Sequence, residues 1–152
     1  MFRTFMDDAL EEAAKALKRG EVPVGAVIVG ASSGDIIARA GNETRERLDP
    51  SAHAEVLAIR KACETLKTDR LVNCDIYVTL EPCAMCAGLI ANARIRRIYF
   101  AASDPKSGGI QQGARVFDHE QTHHIPEIYP GIGEEKAVKL LRNFFATKRM
   151  KA

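Results

Sequence analysis

The chain has 152 residues, of which 46% are hydrophobic and 28% charged, and its net charge is +2 at neutral pH. These values are close to the average for globular domains, so they exclude an extreme compositional class, and the charge is too small to indicate a partner by itself. The longest apolar run, "VPVGAVIVGA", is far short of the roughly 18 residues of a membrane span, and the N-terminus becomes acidic before any apolar segment. We therefore expect a cytoplasmic protein without a membrane partner.

The first third of the chain predicts one helix and a hairpin. Apolar residues at helical spacing indicate a helix over about 4–19, which Gly20 ends. Segments 22–30 and 35–43 are rich in strand formers, and the turn "ASSGD" separates them. A short turn that contains Gly between two such segments predicts an antiparallel pair.

The middle of the chain alternates between helix and strand. A second helix is predicted after "LDPS", with Ser51 as its N-cap and Leu66 near its end. A short strand at 75–80 follows, Pro82 opens a third helix at its first position, and 95–102 is another strand. A strand–helix–strand order implies a parallel crossover, so a mixed sheet covered by helices is expected.

The last third contains a loop, a strand and a helix. Segment 103–113, "SDPKSGGIQQG", is rich in loop formers, and 124–129 is read as a last strand. Segment 134–149 predicts a basic amphipathic helix whose apolar side carries Ala137, Val138, Leu141, Phe144 and Phe145. We expect a single domain over 1–152 that ends with this helix.

Three residues have the types and positions of metal ligands. Cys83 and Cys86 are separated by two residues at a helix start, where the helix dipole favours thiolates. His53 precedes Glu55 by two positions. Side chains two positions apart on a helix point about 200° away from each other, so both can serve one site only if that site lies over the helix N-terminus. Cys63 and Cys74 form no second close pair and are read as small core residues.

One His and two Cys ligands leave the fourth position of a tetrahedral zinc open, which is typical of a catalytic site. Zinc lowers the pKa of bound water to about 7, so hydroxide exists at neutral pH. Glu55 is then available to carry a proton from that water to the substrate. The mixed thiolate and imidazole set suits zinc without excluding iron.

The segments "HAE" and "PCAMC" match the H-x-E…P-C-x-x-C pattern of zinc-dependent cytidine and deoxycytidylate deaminases, which the chain resembles. Within that superfamily it is similar to bacterial tRNA-specific adenosine deaminases over nearly its whole length, including "EVPVGAV", "DPSAHAE" and "DPKSG". The resemblance implies a three-layer α/β/α fold with a central mixed five-stranded sheet and one Zn²⁺ per subunit. It also implies conversion of the wobble adenosine of a tRNA anticodon loop to inosine with release of ammonia, by a homodimer that touches RNA with both subunits.

The same resemblance suggests substrate contacts. Asn42, which can donate and accept hydrogen bonds, suits a purine edge, and the matching asparagine has that role in the family. The other candidates for contact with the tRNA anticodon stem-loop are Val22, Ala54, Asp104, Lys106, Phe145 and Arg149.

Alternatives remain open from the residues alone. The cluster could hold a structural metal, the same motif could deaminate a free base or nucleotide such as guanine or cytosine, and the chain could be a zinc-stabilised RNA-binding module without catalysis. The tail could be a helix with a solvated basic face, in which a Phe serves the core. His119 and His123 could form a second metal pair if helical, but solvent-facing histidines are the more common case.

Overall fold

The computed structural model describes the backbone of residues 3–151 and the side chains of residues 3–148. Helix α1 covers Phe5–Lys18. It begins with a capping box, in which the Thr4 side chain accepts from the first turn and the Asp7 carboxylate accepts from the Thr4 N–H at 2.9 Å. These bonds satisfy backbone N–H groups that have no partner inside the helix.

Strands β1 (Gly25–Gly30) and β2 (Ile36–Gly41) form the predicted antiparallel hairpin. Every residue of β1 is buried, because α1 covers one face of the strand and the second helix covers the other. Gly25 permits the approach of α1, since a Cβ there would lie 2.0 Å from the backbone oxygen of Ala9.

Three further strands complete the sheet: β3 (Cys74–Leu80), β4 (Arg97–Ala102) and β5 (Glu127–Pro130). The strand order is β2-β1-β3-β4-β5, in which β3 pairs antiparallel with β1 while β3/β4 and β4/β5 are parallel. The prediction of a mixed five-stranded sheet is confirmed.

Helices cover both faces of the sheet, which gives the predicted three layers. Helices α2 (Ala54–Leu66) and α3 (Ala84–Asn92) lie on one face, and α1 and α4 (Glu134–Lys151) lie on the other. A short 3₁₀ turn covers Val116–Asp118. Because neighbouring residues of a strand point to opposite faces, each strand serves both cores. The first core includes Ile28, Ile76, Val78, Ile98 and Phe100, and the second includes Val27, Val29, Tyr77 and Tyr99.

The predicted starts of α2 and α3 were each wrong by two residues. Ser51 is not the N-cap of α2, because its N–H and its hydroxyl both donate to Asp49, at 2.9 and 2.7 Å, in the preceding turn. The N-cap is His53. Pro82 is not the first residue of α3, since it precedes Cys83, an N-cap with extended backbone. Both corrections place a predicted metal ligand at the N-cap itself.

The last helix has the predicted amphipathic character, and its two neighbouring phenylalanines differ in exposure. Phe144 is buried, whereas Phe145 is 47% exposed. Phe144 therefore serves the core, and only Phe145 is available to a partner. None of the helices between residues 3 and 151 combines the length and apolarity needed to cross a membrane.

Candidate metal centre and substrate cleft

Two helix N-termini bring the three predicted ligands together. His53 and Cys83 are the N-caps of α2 and α3, and neither side chain hydrogen-bonds its own helix end. The Nδ1 atom of His53 lies 3.7 Å from the Sγ of Cys83 and 3.5 Å from the Sγ of Cys86. All three ligand atoms lie within 4.8 Å of one another, so they could bind one metal ion.

The donor set fits zinc. One imidazole nitrogen and two sulfurs match known catalytic sites with three protein ligands, and soft thiolates disfavour magnesium or calcium. A hydrogen bond from Cys86 and the neighbouring His53 lower the pKa of Cys83 to about 4. The pKa of Cys86 is raised, by its bond to Cys83 and by burial, and the bond to Cys83 raises the pKa of His53. A metal-binding thiolate is therefore already favoured at Cys83.

Glu55 lies beside this group in the first turn of α2, and its side chain is only 4% exposed. Burial raises the pKa of its carboxyl group, because a charged carboxylate loses its hydration there. A carboxyl group whose pKa is raised accepts a proton more readily than a solvated one, as general acid–base catalysis needs.

A cleft of about 220 Å³ opens over the ligand group. It is smaller than the roughly 300–1,000 Å³ of sites for drug-sized ligands, a size that suits a single base. Six of the residues predicted for the site line it: Val22, Asn42, His53, Glu55, Cys83 and Asp104.

The remaining predicted contacts lie elsewhere. Ala54, the first residue of α2, is completely buried in the core and does not line the cleft. Lys106 is exposed on the loop that follows β4, and Phe145 borders a second depression beside Ser103. The side chain of Arg149 lies outside the described residues. Lys106 and Phe145 are placed where only a ligand larger than a base could reach them.

The backbone around Asn42 holds its amide at the edge of the cleft. The Asn42 N–H donates to the carbonyl of Val24 at 3.0 Å, and Arg19 donates to the carbonyl of Asn42 at 3.2 Å. The side-chain amide donates to the Thr44 hydroxyl at 3.4 Å. Asn42 is 7% exposed, so a base that enters the cleft meets an oriented amide.

Five lining residues were not predicted: Val24, Thr44, Leu80, Glu81 and Ser107. Glu81 is the informative one, since it is 2% exposed and directly precedes the "PCAMC" segment. The available signal was an acidic residue at the end of an apolar strand, where burial needs a specific partner. Ser107 lies in the "DPKSG" loop that carried part of the resemblance, but only Asp104 and Lys106 of that loop were predicted as contacts, and no sequence signal identified Thr44.

Comparison with known proteins gives consistent results. Residues 2–102 match the family model for the cytidine and deoxycytidylate deaminase zinc-binding region. A tRNA-specific adenosine deaminase from Agrobacterium fabrum is 51% identical over 96% of this chain and 95% of its own, and one from Bacillus subtilis is 44% identical over 97% and 90%.

Solved structures agree with the sequence relatives. A structure from a study of A-to-I editing by tRNA:A34 deaminases at the wobble position of transfer RNA matches with a TM-score of 0.87 and 51% identity, over 90% of this chain and 98% of that chain. A guanine deaminase from Bacillus subtilis matches with a TM-score of 0.65 and 32% identity, over 94% and 95%.

Proposed function

The chain belongs to the family of zinc-binding cytidine and deoxycytidylate deaminases, and from that membership we propose that it deaminates the wobble adenosine of a tRNA anticodon loop to inosine. The observation that carries the proposal is the cleft in which His53, Cys83, Glu55 and Asn42 converge. The match to tRNA-specific adenosine deaminases at 51% identity supports adenosine in tRNA over guanine, whose deaminase matches at 32%.

His53, Cys83 and Cys86 would hold the zinc ion. Bound there, zinc supplies the Lewis acidity that makes water nucleophilic at neutral pH. The protein's own contribution to proton transfer is Glu55, whose buried carboxyl group takes a proton as water is activated. The same group then delivers that proton to N1 of the adenine ring. It later takes the proton of the new C6 hydroxyl group and passes it to the departing amine, which leaves as ammonia.

Recognition of the base rests on the opposite wall of the cleft. The amide of Asn42 offers one acceptor and two donors, which match the alternating donors and acceptors of a purine edge. Val22 and Leu80 supply apolar contact for the ring faces. Because anticodon-loop bases are already partly unstacked, insertion of one base into this cleft costs less than extrusion from a duplex.

The surfaces outside the cleft suit the rest of the stem-loop. Lys139 and Arg142 are exposed on α4, and Phe145 presents 47% of its surface next to them. Basic groups that bind phosphates and an aromatic ring on which a base can stack are the usual elements of single-stranded RNA binding. We assign Lys106, Phe145 and Arg149 to this outer contact.

We also propose that the chain acts as a homodimer in the cytoplasm, where its four free cysteines stay reduced. The exposed apolar side chains include Met85, which is 45% exposed between the two thiol ligands of α3, and Val72, which is 54% exposed. Burial of such side chains against a second copy would remove them from water. Sedimentation equilibrium of the zinc protein should give twice the monomer mass, and a monomer at micromolar concentration would refute this part.

The central test is turnover of an anticodon stem-loop by the purified zinc protein. We expect ammonia release and inosine formation with adenosine at the wobble position, and none with a matched stem-loop that carries the adenosine one position later. Free adenosine, guanine and cytosine should not compete. Turnover of a free base alone would refute the RNA substrate and assign a free base in its place. Stem-loop binding without any ammonia release would support a non-catalytic zinc module.

A further inference from the structure

The Glu81 carboxylate is one of the best-satisfied polar groups in the described residues, and the proton-transfer steps do not use it. It is 2% exposed. One oxygen, Oε1, accepts from the N–H of Asp104 at 3.0 Å. The other, Oε2, accepts from the N–H groups of Ile110, Gln111 and Gln112 at 3.2, 2.8 and 3.0 Å. Four backbone donors thus converge on one buried side chain.

These donors belong to both ends of one loop, 104–112, which we call the wall loop. Two of its members, Asp104 and Ser107, line the substrate cleft. The Asp104 carboxylate also accepts from the N–H groups of Lys106 and Ser107, at 3.2 and 3.0 Å, so its direction follows from the position of the turn. The carboxylate of Glu81 therefore determines where this side of the cleft lies.

The wall loop also fits closely against the metal-ligand segment. Cys83 and Gly108 form a β-bridge, and the Gly109 N–H donates to the Pro82 carbonyl at 2.8 Å. A Cβ at Gly108 would lie 2.6 Å from the backbone oxygen of Asp104 and 2.7 Å from the Glu81 carboxyl carbon. Both contacts are shorter than real Cβ atoms show, so only glycine permits the turn and the carboxylate to lie this close together.

We propose that Glu81 is a positioning residue for the substrate: it holds the wall loop so that Asp104 and Ser107 face the nucleotide that enters the cleft. The proposal rests on the proposed RNA substrate. Glu81 touches neither the reacting atoms nor the metal in this role. Its loss should therefore weaken substrate binding while leaving zinc content and the chemical step intact.

The two oxygens of Glu81 accept different numbers of hydrogen bonds, one at Oε1 and three at Oε2, and a substitution can use this difference. In Glu81→Gln the amide oxygen can replace Oε2 and keep three donors, but the NH₂ group then faces the Asp104 N–H, which is also a donor. The substitution should release the Asp104 end of the wall loop selectively. Because a hydrogen bond to a charged group is lost, we expect KM for the stem-loop to rise about tenfold, with kcat and zinc content near those of the wild-type protein.

A double-mutant cycle with Asp104→Ala separates positioning from general stability. If Glu81 acts through Asp104, the double variant should have a KM no higher than that of Asp104→Ala alone. Multiplicative effects on KM would overturn the proposal, and so would an unchanged KM in Glu81→Gln. Loss of zinc from Glu81→Gln would also overturn it, because Glu81 would then support the metal site.

Amide hydrogen exchange provides a readout that does not depend on activity. In Glu81→Gln the Asp104 amide should exchange faster, while those of Gln111 and Gln112 stay protected. Unchanged protection at Asp104 would refute the assignment. If the wild-type protein fails on every stem-loop, the RNA substrate is refuted, whereas the exchange data still decide whether Glu81 holds the wall loop.

A second variant changes the same contact on the side of the wall loop. It keeps the proposal testable if Glu81→Gln fails to fold. Gly108→Ala places a methyl group against both the backbone oxygen of Asp104 and the Glu81 carboxylate, so it should push these two groups apart and raise KM in the same way. Gly88→Ala in α3 is the matched control, because nothing lies within 4 Å of its new Cβ. A wild-type KM in Gly108→Ala, or an equal rise in Gly88→Ala, would contradict the proposal.

Discussion

Replacement of Glu55 by glutamine isolates the proton-transfer step. The amide has nearly the same shape, and because burial already favours the neutral carboxyl group, a neutral amide should cost the fold little. Glu55 is not one of the three metal ligands, so zinc should stay bound. General acid–base catalysis contributes roughly 10²- to 10⁴-fold, so kcat should fall by that factor, or about 2.7–5.5 kcal/mol in activation free energy.

The assay is single-turnover inosine formation on the stem-loop, with zinc measured in the same samples. Glu12→Gln is the control, because Glu12 is another buried glutamate, bonded to Lys15 at 3.0 Å on α1 and outside the cleft. It should keep wild-type kcat. Retention of kcat in Glu55→Gln within about tenfold of wild type, with zinc bound, would refute the assignment of Glu55 as proton carrier.

Three further predictions use other parts of the structure. Removal of zinc with a chelator should abolish activity and lower the melting temperature, yet leave the circular dichroism at 25 °C unchanged, because none of the three metal ligands belongs to either core cluster. Unfolding would instead indicate a zinc-dependent fold. Burial, followed by the charge of and hydrogen bond to the neighbouring Tyr99, raises the pKa of Tyr77 to about 12. Stability present below pH ~10 should therefore be lost as pH rises through 12 in urea titrations, and Tyr77→Phe should reduce that loss. Phe145→Ala should raise KM for the stem-loop and cost only about 0.5–1.5 kcal/mol of folding free energy, from the lost edge-to-face contact with Phe144. Phe144→Ala should cost roughly 3–5 kcal/mol, and the reverse pattern in urea titrations and kinetics would contradict the assignment.

The sequence by itself predicted the ligand set and the proton carrier beside it, and together with the family resemblance it predicted the layer order of the fold. His53, Glu55, Cys83 and Cys86 are recognisable because their residue types and spacings are local, and because helix starts orient such groups in a known direction. The periods of apolar residues likewise identified every strand and every long helix, since burial of one face or stripe is a local pattern. Their pairing into a mixed sheet followed from chain order alone.

The tertiary structure alone decided which loop residues form the cleft walls and which aromatic ring is free. Glu81 and the donors of the wall loop are 23 to 31 residues apart, and no local period reports a contact over that distance. Phe144 and Phe145 are neighbours on one helix, and only the packing of α4 against the sheet buries the first and exposes the second. The N-cap of α2 is His53 and not the predicted Ser51. His53 approaches two thiols at the start of another helix, and this tertiary contact outweighs the capping propensity of serine.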